Sequence, residues 1–551
     1  MKSGKRSAAR VLVESLQARK VDRVFCVPGE SYLSVLDALV DAPDIQVVAC
    51  RHEGGAGFMA VADAKLSHRP GLCMVSRGPG AMNAAIAVHV AEQDAVPLIL
   101  LVGQVARVDL GRGSFQEVDY AKTFSDMAKW TIQVMDAEHM AETIARAWTV
   151  AQSGTPGPVV VVLPEDMLED MTETPVVPEM PMPLLAPPAE AVAEIAERLG
   201  RAERPVLIAG GDIKSAADRE ALRRAAEAWQ VPVLGSFKRQ DLMDNDHPLW
   251  AGVMPYIVPK PLADALAEAD LVLAVGTRLG DVTTQNYAFP KAPVPAQPLI
   301  HVYPDPARIG RNFATSVGVG AHAGPFLAAL GLRNPRPAPA GRRAWAERLV
   351  GLDRRLRVFG GEAAPDGVDF GHIAVAVAKR LPDDAIVTTD AGNFAGWFAR
   401  YISYRPTQRA IGWIGGAMGG GMPSAVAAAL RFPGRKVVTA IGDGGLLMTG
   451  SELATAVQYG AAVKIFVSNN GAYGTIRMHQ GKQFPGRPMA TALKNPDFAA
   501  WARSFGAEGL TVIKPEDADG AVAAAMTTPG PVVVDVKSSL RHIAPGAKLT
   551  D

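Results

Sequence analysis

The sequence predicts an α/β protein made of three doubly wound parallel-sheet domains, and three observations carry that prediction. Short apolar runs that read as buried strands alternate with longer stretches that read as helices, the rhythm of repeated βα units. Glycine turns follow several of these runs, at the strand end where open parallel sheets bind ligands. The heptapeptide Thr-Pro-Gly-Pro-Val-Val-Val occurs at 155–161 and again at 528–534, each time as the last strand expected in its unit, so one topology is expected twice.

Taken in order, the first unit (1–170) reads as a helix over 7–19, a strand over 23–27, a helix over 32–40, a strand over 45–50, a helix over 55–66 and a strand over 71–76. Strands near 97–102 and 157–163 complete it. Prolines at 175, 178, 181, 183, 187 and 188 then mark an extended linker. The second unit (188–332) has strands at 205–209, 232–234, 271–275 and 298–302, and stops before a proline- and arginine-rich stretch over 333–343. The third (365–540) has strands at 385–389, 436–441 and 462–468, with a helix over 451–459 between the last two.

Composition narrows the function classes. The chain has 551 residues, 48% hydrophobic and 20% charged, which suits a globular protein of about three domains. Its 56 basic and 56 acidic residues leave no net charge to attract nucleic acid or an anionic membrane. Cys26, Cys50 and Cys73 lie far apart in apolar runs, so they read as buried thiols of a reducing compartment and indicate neither a disulfide framework nor a zinc site. The basic first twenty residues are interrupted by charges and read as a helix, not a signal peptide. No apolar run approaches the roughly 18 residues of a membrane span. A cytoplasmic location is expected.

The chemistry concentrates between 442 and 474. Gly442-Asp443-Gly444-Gly445 follows one predicted strand and Asn469-Asn470-Gly471-Ala472 follows the next, with Asp443 and Asn470 27 residues apart. Glycine lets backbone N–H groups come close to a phosphate. A carboxylate and an amide oxygen beside it suit Mg²⁺, which takes about six oxygens, some from its ligand's phosphates. Either piece alone is a common α/β turn. The pair with a strand before each is far more specific.

At this point the chain resembles the thiamine diphosphate enzymes, whose GDG and NN segments hold Mg²⁺ and the diphosphate. The resemblance implies Asp443, Asn470 and the main-chain carbonyl of Ala472 as metal ligands, with Gly474 beside them. Arg51-His52-Glu53-Gly54-Gly55-Ala56 resembles the family's RHE segment and implies Glu53 as the glutamate that hydrogen-bonds N1′ of the aminopyrimidine. Val27-Pro28-Gly29 resembles its VPG turn. Gly416 and Met418 match the carbonyl that accepts from the 4′-amino group and the apolar wedge between the two rings, although Met418 also reads as a core methionine. Gly392 and Asn393 form a second diphosphate cradle. The same resemblance names the units pyrimidine-binding, central and diphosphate-binding, and implies a homodimer or homotetramer whose active site lies between subunits.

Within the family the chain is most similar to the acetolactate synthase-like branch. Gly78-Pro79-Gly80-Ala81-Met82-Asn83, Phe115-Gln116-Glu117 and Glu452-Leu453-Ala454-Thr455-Ala456-Val457 carry this, and place Phe115 and Gln116 near the reacting centre. The implied activity is carboligation or decarboxylation of a 2-oxo acid. A 2-hydroxyacyl-CoA lyase or oxalyl-CoA decarboxylase and a non-catalytic nucleotide-binding homologue stand as alternatives. Two positions depart from the branch: His479 replaces a tryptophan and Val282 an arginine that help place the second keto acid. His479 reads as a proton shuttle or as a structural histidine, and Arg77 as a carboxylate partner or a paired structural arginine. Gly210-Gly211-Asp212 and Gly276-Thr277-Arg278 are compatible with a nucleotide, but without a G-x-G-x-x-G fingerprint FAD is not predicted.

Overall fold

The computed structural model describes residues 4–333 and 337–549, so positions 334–336 of the proline- and arginine-rich stretch lie outside the described residues. Three six-stranded sheets carry the chain, and every strand pair in them is parallel. The first comprises Arg23–Cys26, Gln46–Ala49, Gly71–Val75, Leu98–Gln104, Trp130–Gln133 and Pro158–Pro164. The third comprises Ile386–Thr389, Arg409–Ile411, Val437–Gly442, Val463–Asn469, Glu508–Val512 and Val532–Lys537. Numbered by chain position, the strands of both lie in the order 2-1-3-4-6-5. The repeated heptapeptide leads into the sixth strand of each. The same local sequence therefore performs the same topological task twice.

The central sheet differs. Its strands Pro205–Ala209, Val233–Gly235, Trp250–Val253, Leu271–Val275, Leu299–Tyr303 and Val317–Gly320 lie in the order 3-2-1-4-5-6, the arrangement of dinucleotide-binding folds. Inner strands such as Leu98–Gln104 and Leu271–Val275 are buried throughout because helices cover both faces. The helix Arg342–Leu356, beyond position 332, packs on this unit. Its Arg342 guanidinium donates to the carbonyls of Ala202 and Trp229 at 3.0 and 2.9 Å, and the Trp345 indole donates to Pro205 at 2.9 Å.

Helix boundaries differ from expectation where caps decide them. His52 accepts from the Gly54 N–H at 3.0 Å, so the helix expected from position 55 starts earlier, as Glu53–Ser67. The glycine turn at 442–445 is tighter than expected, because Gly442 ends its strand and Asp443–Thr449 is already helical. Glu452–Gln458 then supplies the predicted helix, and Gly474–Gln483 is an additional one.

The first and third units share one core, in which Glu53–Ser67 packs on Gly421–Arg431. Glu452 ties them together. Fully buried, its carboxylate accepts from the N–H groups of Arg51 at 3.1 Å and His52 at 3.0 Å and from the Thr455 hydroxyl at 2.6 Å. Burial raises the pKa of its carboxyl, against the pull of those hydrogen bonds. Glu452→Ala would orphan two part-buried N–H groups immediately before Glu53 and strip the buried Thr455 hydroxyl of its acceptor. It is expected to cost on the order of 3 kcal/mol. A calorimetric melting temperature unchanged from wild type would contradict this.

Candidate active site

The first unit gathers one half of the site at the C-terminal ends of its strands. Val27-Pro28-Gly29 follows Arg23–Cys26 and is fastened by the Tyr32 hydroxyl, which donates to the Val27 carbonyl at 2.5 Å. Gly29 lies so close to Ser76 that an added Cβ would sit 2.5 Å from that residue's Cβ, so glycine is required there. Glu53 opens its helix and accepts from the Asn83 amide at 2.9 Å. Gln116 adopts a left-handed conformation, φ +65°, beside Gly78 at φ +57°, and the Gly78 N–H donates to the Tyr120 hydroxyl at 2.7 Å. Phe115, next to it, is 76% exposed. Glu117 folds this loop by accepting from the N–H groups of Gly111, Gly113 and Ser114.

The third unit gathers the other half. Asp443 is buried, its Oδ1 accepting from the Gly444 N–H at 2.8 Å and its Oδ2 from the Gly471 N–H at 2.9 Å and the Asn495 amide at 2.7 Å. Burial raises its pKa, opposed by those donors. The Asn470 side-chain oxygen accepts from the Ala472 N–H at 3.1 Å, and the Ala472 carbonyl accepts from the Gly474 N–H at 2.8 Å. Asn393 donates its N–H to the Thr475 hydroxyl at 3.1 Å, which joins the Gly392-Asn393 turn to the start of Gly474–Gln483. Gly416 has φ +67° and nothing within 4 Å of where a Cβ would stand, while Met418 beside it is half-buried.

Beneath this half lies Asp390, fully buried, which accepts from the N–H groups of Ala391 at 2.9 Å, Gly419 at 2.9 Å and Gly420 at 3.2 Å. It thereby anchors the loop that carries Gly416 and Met418. Burial pushes its carboxyl up to about 6, opposed by those amides and by Lys238. Lys238, whose ammonium donates to the Thr389 hydroxyl at 3.1 Å, is itself pushed down to about 8 by burial. The ionised carboxyl is disfavoured in the fold. Its stability contribution is therefore full below the ordinary carboxyl value near 4 and is lost as pH rises through about 6. The melting temperature of wild type relative to Asp390→Asn should thus fall between pH 4 and 7. A gap that stays constant with pH would show that Asp390 does not titrate there.

Comparison with known proteins decides the family. Residues 6–123 match the thiamine pyrophosphate enzyme N-terminal TPP binding domain, 192–330 the central domain and 390–536 the C-terminal TPP binding domain. The chain belongs to the thiamine pyrophosphate enzymes. It is 33% identical over 547 residues to an acetolactate synthase large subunit of Parasynechococcus marenigrum, covering 96% of this chain and 87% of the relative. It is also 32% identical over 557 residues to the Escherichia coli acetolactate synthase isozyme 1 large subunit, covering 99% and 97%. The E. coli isozyme 2 large subunit is 30% identical over 534 residues, covering 96% and 95%.

The donors of this thiamine pyrophosphate enzyme fit its cofactor. Asp443, Asn470 and Ala472 offer one carboxylate, one amide oxygen and one carbonyl, hard oxygens of the kind Mg²⁺ takes when phosphates complete its shell. Among the described residues no cluster of three or more His, Cys, Asp and Glu could hold a metal, and this donor set needs none. The glycines are required by close packing: a Cβ on Gly444 would sit 2.5 Å from the Tyr473 ring and one on Gly442 2.8 Å from the Phe394 ring.

Sequence reasoning passes over the residues that organise these groups. Asn495 bridges Asp443 and Asn469, donating to the latter at 2.9 Å, and Asn469 in turn donates to the buried Asp535 at 2.9 Å. The first Asn of the pair is thus a strut and the second the candidate ligand. Arg77, read as a carboxylate partner or a paired structural arginine, donates to Glu165 at 2.6 Å and Glu30 at 3.1 Å and is thus structurally paired. Glu53 and Asp443 share no hydrogen bond within one chain; Glu53 is held by Asn83 and Asp443 by its own three donors.

Proposed function

We propose that the chain is a thiamine diphosphate and Mg²⁺ dependent carboligase or decarboxylase of 2-oxo acids, similar to acetolactate synthase, that works in the cytoplasm as a homodimer or homotetramer. The observation that carries this reading is the pairing of two strand-end constellations on sheets of identical topology: Val27–Gly29 with Glu53 on one, and Asp443, Asn470 and Ala472 on the other. When bound, thiamine diphosphate supplies a carbon nucleophile for the carbonyl of a 2-oxo acid. The chain's part is to hold and ionise it. Asp443, Asn470 and Ala472 would fix the metal and the diphosphate, Gly392 and Asn393 would flank that end, and Glu53 would exchange a proton at N1′ of the aminopyrimidine. Gly416 would accept from the 4′-amino group, Met418 would support the bend between the rings, and Phe115 and Gln116 would border the reacting carbon.

Subunit pairing is supported by what surrounds each half. Met82 and Ile86 flank Asn83 at 40% and 38% exposure, and Leu447 and Met448 on the helix that Asp443 opens are 49% and 48% exposed. Both halves are bordered by apolar side chains that a second subunit would cover. Among the described residues no helix is long and apolar enough to cross a membrane.

Val282 and His479 replace the residues that help place the second keto acid in the synthases, so the second carbonyl is the variable part of the reading. Mass spectrometry of products from a panel of 2-oxo acids and acyl-CoAs, with thiamine diphosphate and Mg²⁺ supplied, tests it. A pyruvate-type donor should give a carboligation or decarboxylation product and the thioesters none. Turnover of a CoA thioester, or no turnover of any 2-oxo acid, would overturn it. Visible absorbance of the purified protein reads out any flavin in the central unit.

A further inference from the structure

All three units contribute to a cavity of about 60 Å³ whose lining includes none of the Asp443 cluster. Lys65 reaches it from the first unit, Lys214, Arg219 and Arg239 from the central unit and Arg409 from the third, with Asp241 as the only acidic residue lining it. Lys65 pairs with Asp94 at 3.2 Å, Lys214 lies 3.7 Å from Asp212, and Arg219 pairs with Asp241 at 3.1 Å. Among the described residues Arg239 and Arg409 form no salt bridge, although Asp241 attracts Arg409. The Arg219 side chain is 10% exposed, yet its Nε and Nη1 make no hydrogen bond. The Arg239 guanidinium has no hydrogen-bond partner among the described residues, and lies 2.5 Å from where a Cβ on Gly211 would stand.

Unsatisfied donors on the buried Arg219 guanidinium are costly, and with the half-buried Arg239 guanidinium free of any hydrogen bond on the same cavity they match an oxyanion's need for several charged donors at once. We propose that this cavity binds one phosphate-type oxyanion, clamped chiefly by Arg219 and Arg239, and so ties the three units together. The group is either free phosphate or the terminal phosphoryl of a larger molecule. The surrounding field agrees: His68, which also lines the cavity, is pushed down to about 4 by desolvation and then by Arg219, Lys214, Arg409 and Arg239.

The test is calorimetric titration of inorganic phosphate into the enzyme saturated with thiamine diphosphate and Mg²⁺, at constant ionic strength in a phosphate-free buffer. Saturation keeps phosphate out of the diphosphate cradle. Phosphate should bind and raise the melting temperature where equal charge added as chloride does not. Arg239→Gln, which has no partner to lose, should weaken phosphate at least about tenfold while its melting temperature in chloride stays that of wild type. Arg219→Gln should do the same, with some loss of stability because it strands Asp241. ADP that competes with phosphate would identify a terminal phosphoryl as the source, and ADP that does not would identify the free ion. Phosphate binding no tighter than chloride, or unchanged in Arg239→Gln, would overturn the proposal. As an independent readout, phosphate should raise the NMR-measured pKa of His68 in wild type and leave it unmoved in Arg239→Gln.

Discussion

Glu53→Gln is expected to keep thiamine diphosphate bound to within a few-fold while kcat falls by about two to four orders of magnitude. The geometry separates the two effects. Glu53 accepts one hydrogen bond, from the Asn83 amide, and stands at the first position of a helix whose start is fixed by His52 and Glu452. A glutamine is the same size, satisfies Asn83 with its oxygen and turns its amide outward, where it still donates to N1′ of the cofactor. An amide cannot release that proton. Ground-state binding should therefore survive and proton exchange should not, the pattern of an interaction needed only along the reaction path. Calorimetry of the cofactor together with steady-state kinetics checks both arms. A kcat close to wild type would remove Glu53 from the proton path, whereas loss of cofactor binding would make it a structural residue.

How much of this is legible in the sequence depends on burial. The strands predicted in the interiors of the three sheets lie within a residue or two of their expected places, because both faces are covered and the apolar run is continuous. Trp130–Gln133, Trp250–Val253, Val317–Gly320, Arg409–Ile411 and Glu508–Val512 are not predicted, and every one lies at a sheet edge. Edge strands are short and partly wet, so their polar and glycine residues blur the apolar signal; Val317–Gly320 buries only one of its four residues. The site divides in the same manner. Asp443, Asn470 and Glu53 sit in glycine-rich motifs whose spacing is visible along the chain. Asn495, Asp390 and Glu452 do their work through partners distant in sequence, 52, 29 or 30, and 400 or 401 residues away, and no local pattern marks that.

Asp443→Asn should abolish Mg²⁺-dependent cofactor binding, with an affinity loss of at least about a hundredfold, near 3 kcal/mol. The asparagine is preferred to alanine because Asp443 holds the site as well as the metal: three donors, from Gly444, Gly471 and Asn495, end on its carboxylate. Alanine orphans all three and confounds folding with binding. Asparagine keeps the shape and one acceptor but lacks the charge that offsets a divalent cation's desolvation. A melting temperature near that of wild type, combined with lost Mg²⁺ dependence in a calorimetric titration, would assign the defect to the metal. Unchanged affinity would refute the assignment of Asp443. The two variants together test the arrangement of subunits. If Glu53 of one protomer meets Asp443 of its partner, each mixed dimer of Glu53→Gln with Asp443→Asn contains one site with both defects and one with neither. Random pairing of co-expressed chains should then restore about a quarter of wild-type activity from two inactive parents. Mixed oligomers that form, as native mass spectrometry would show, and yet stay inactive would mean that each chain builds its site alone.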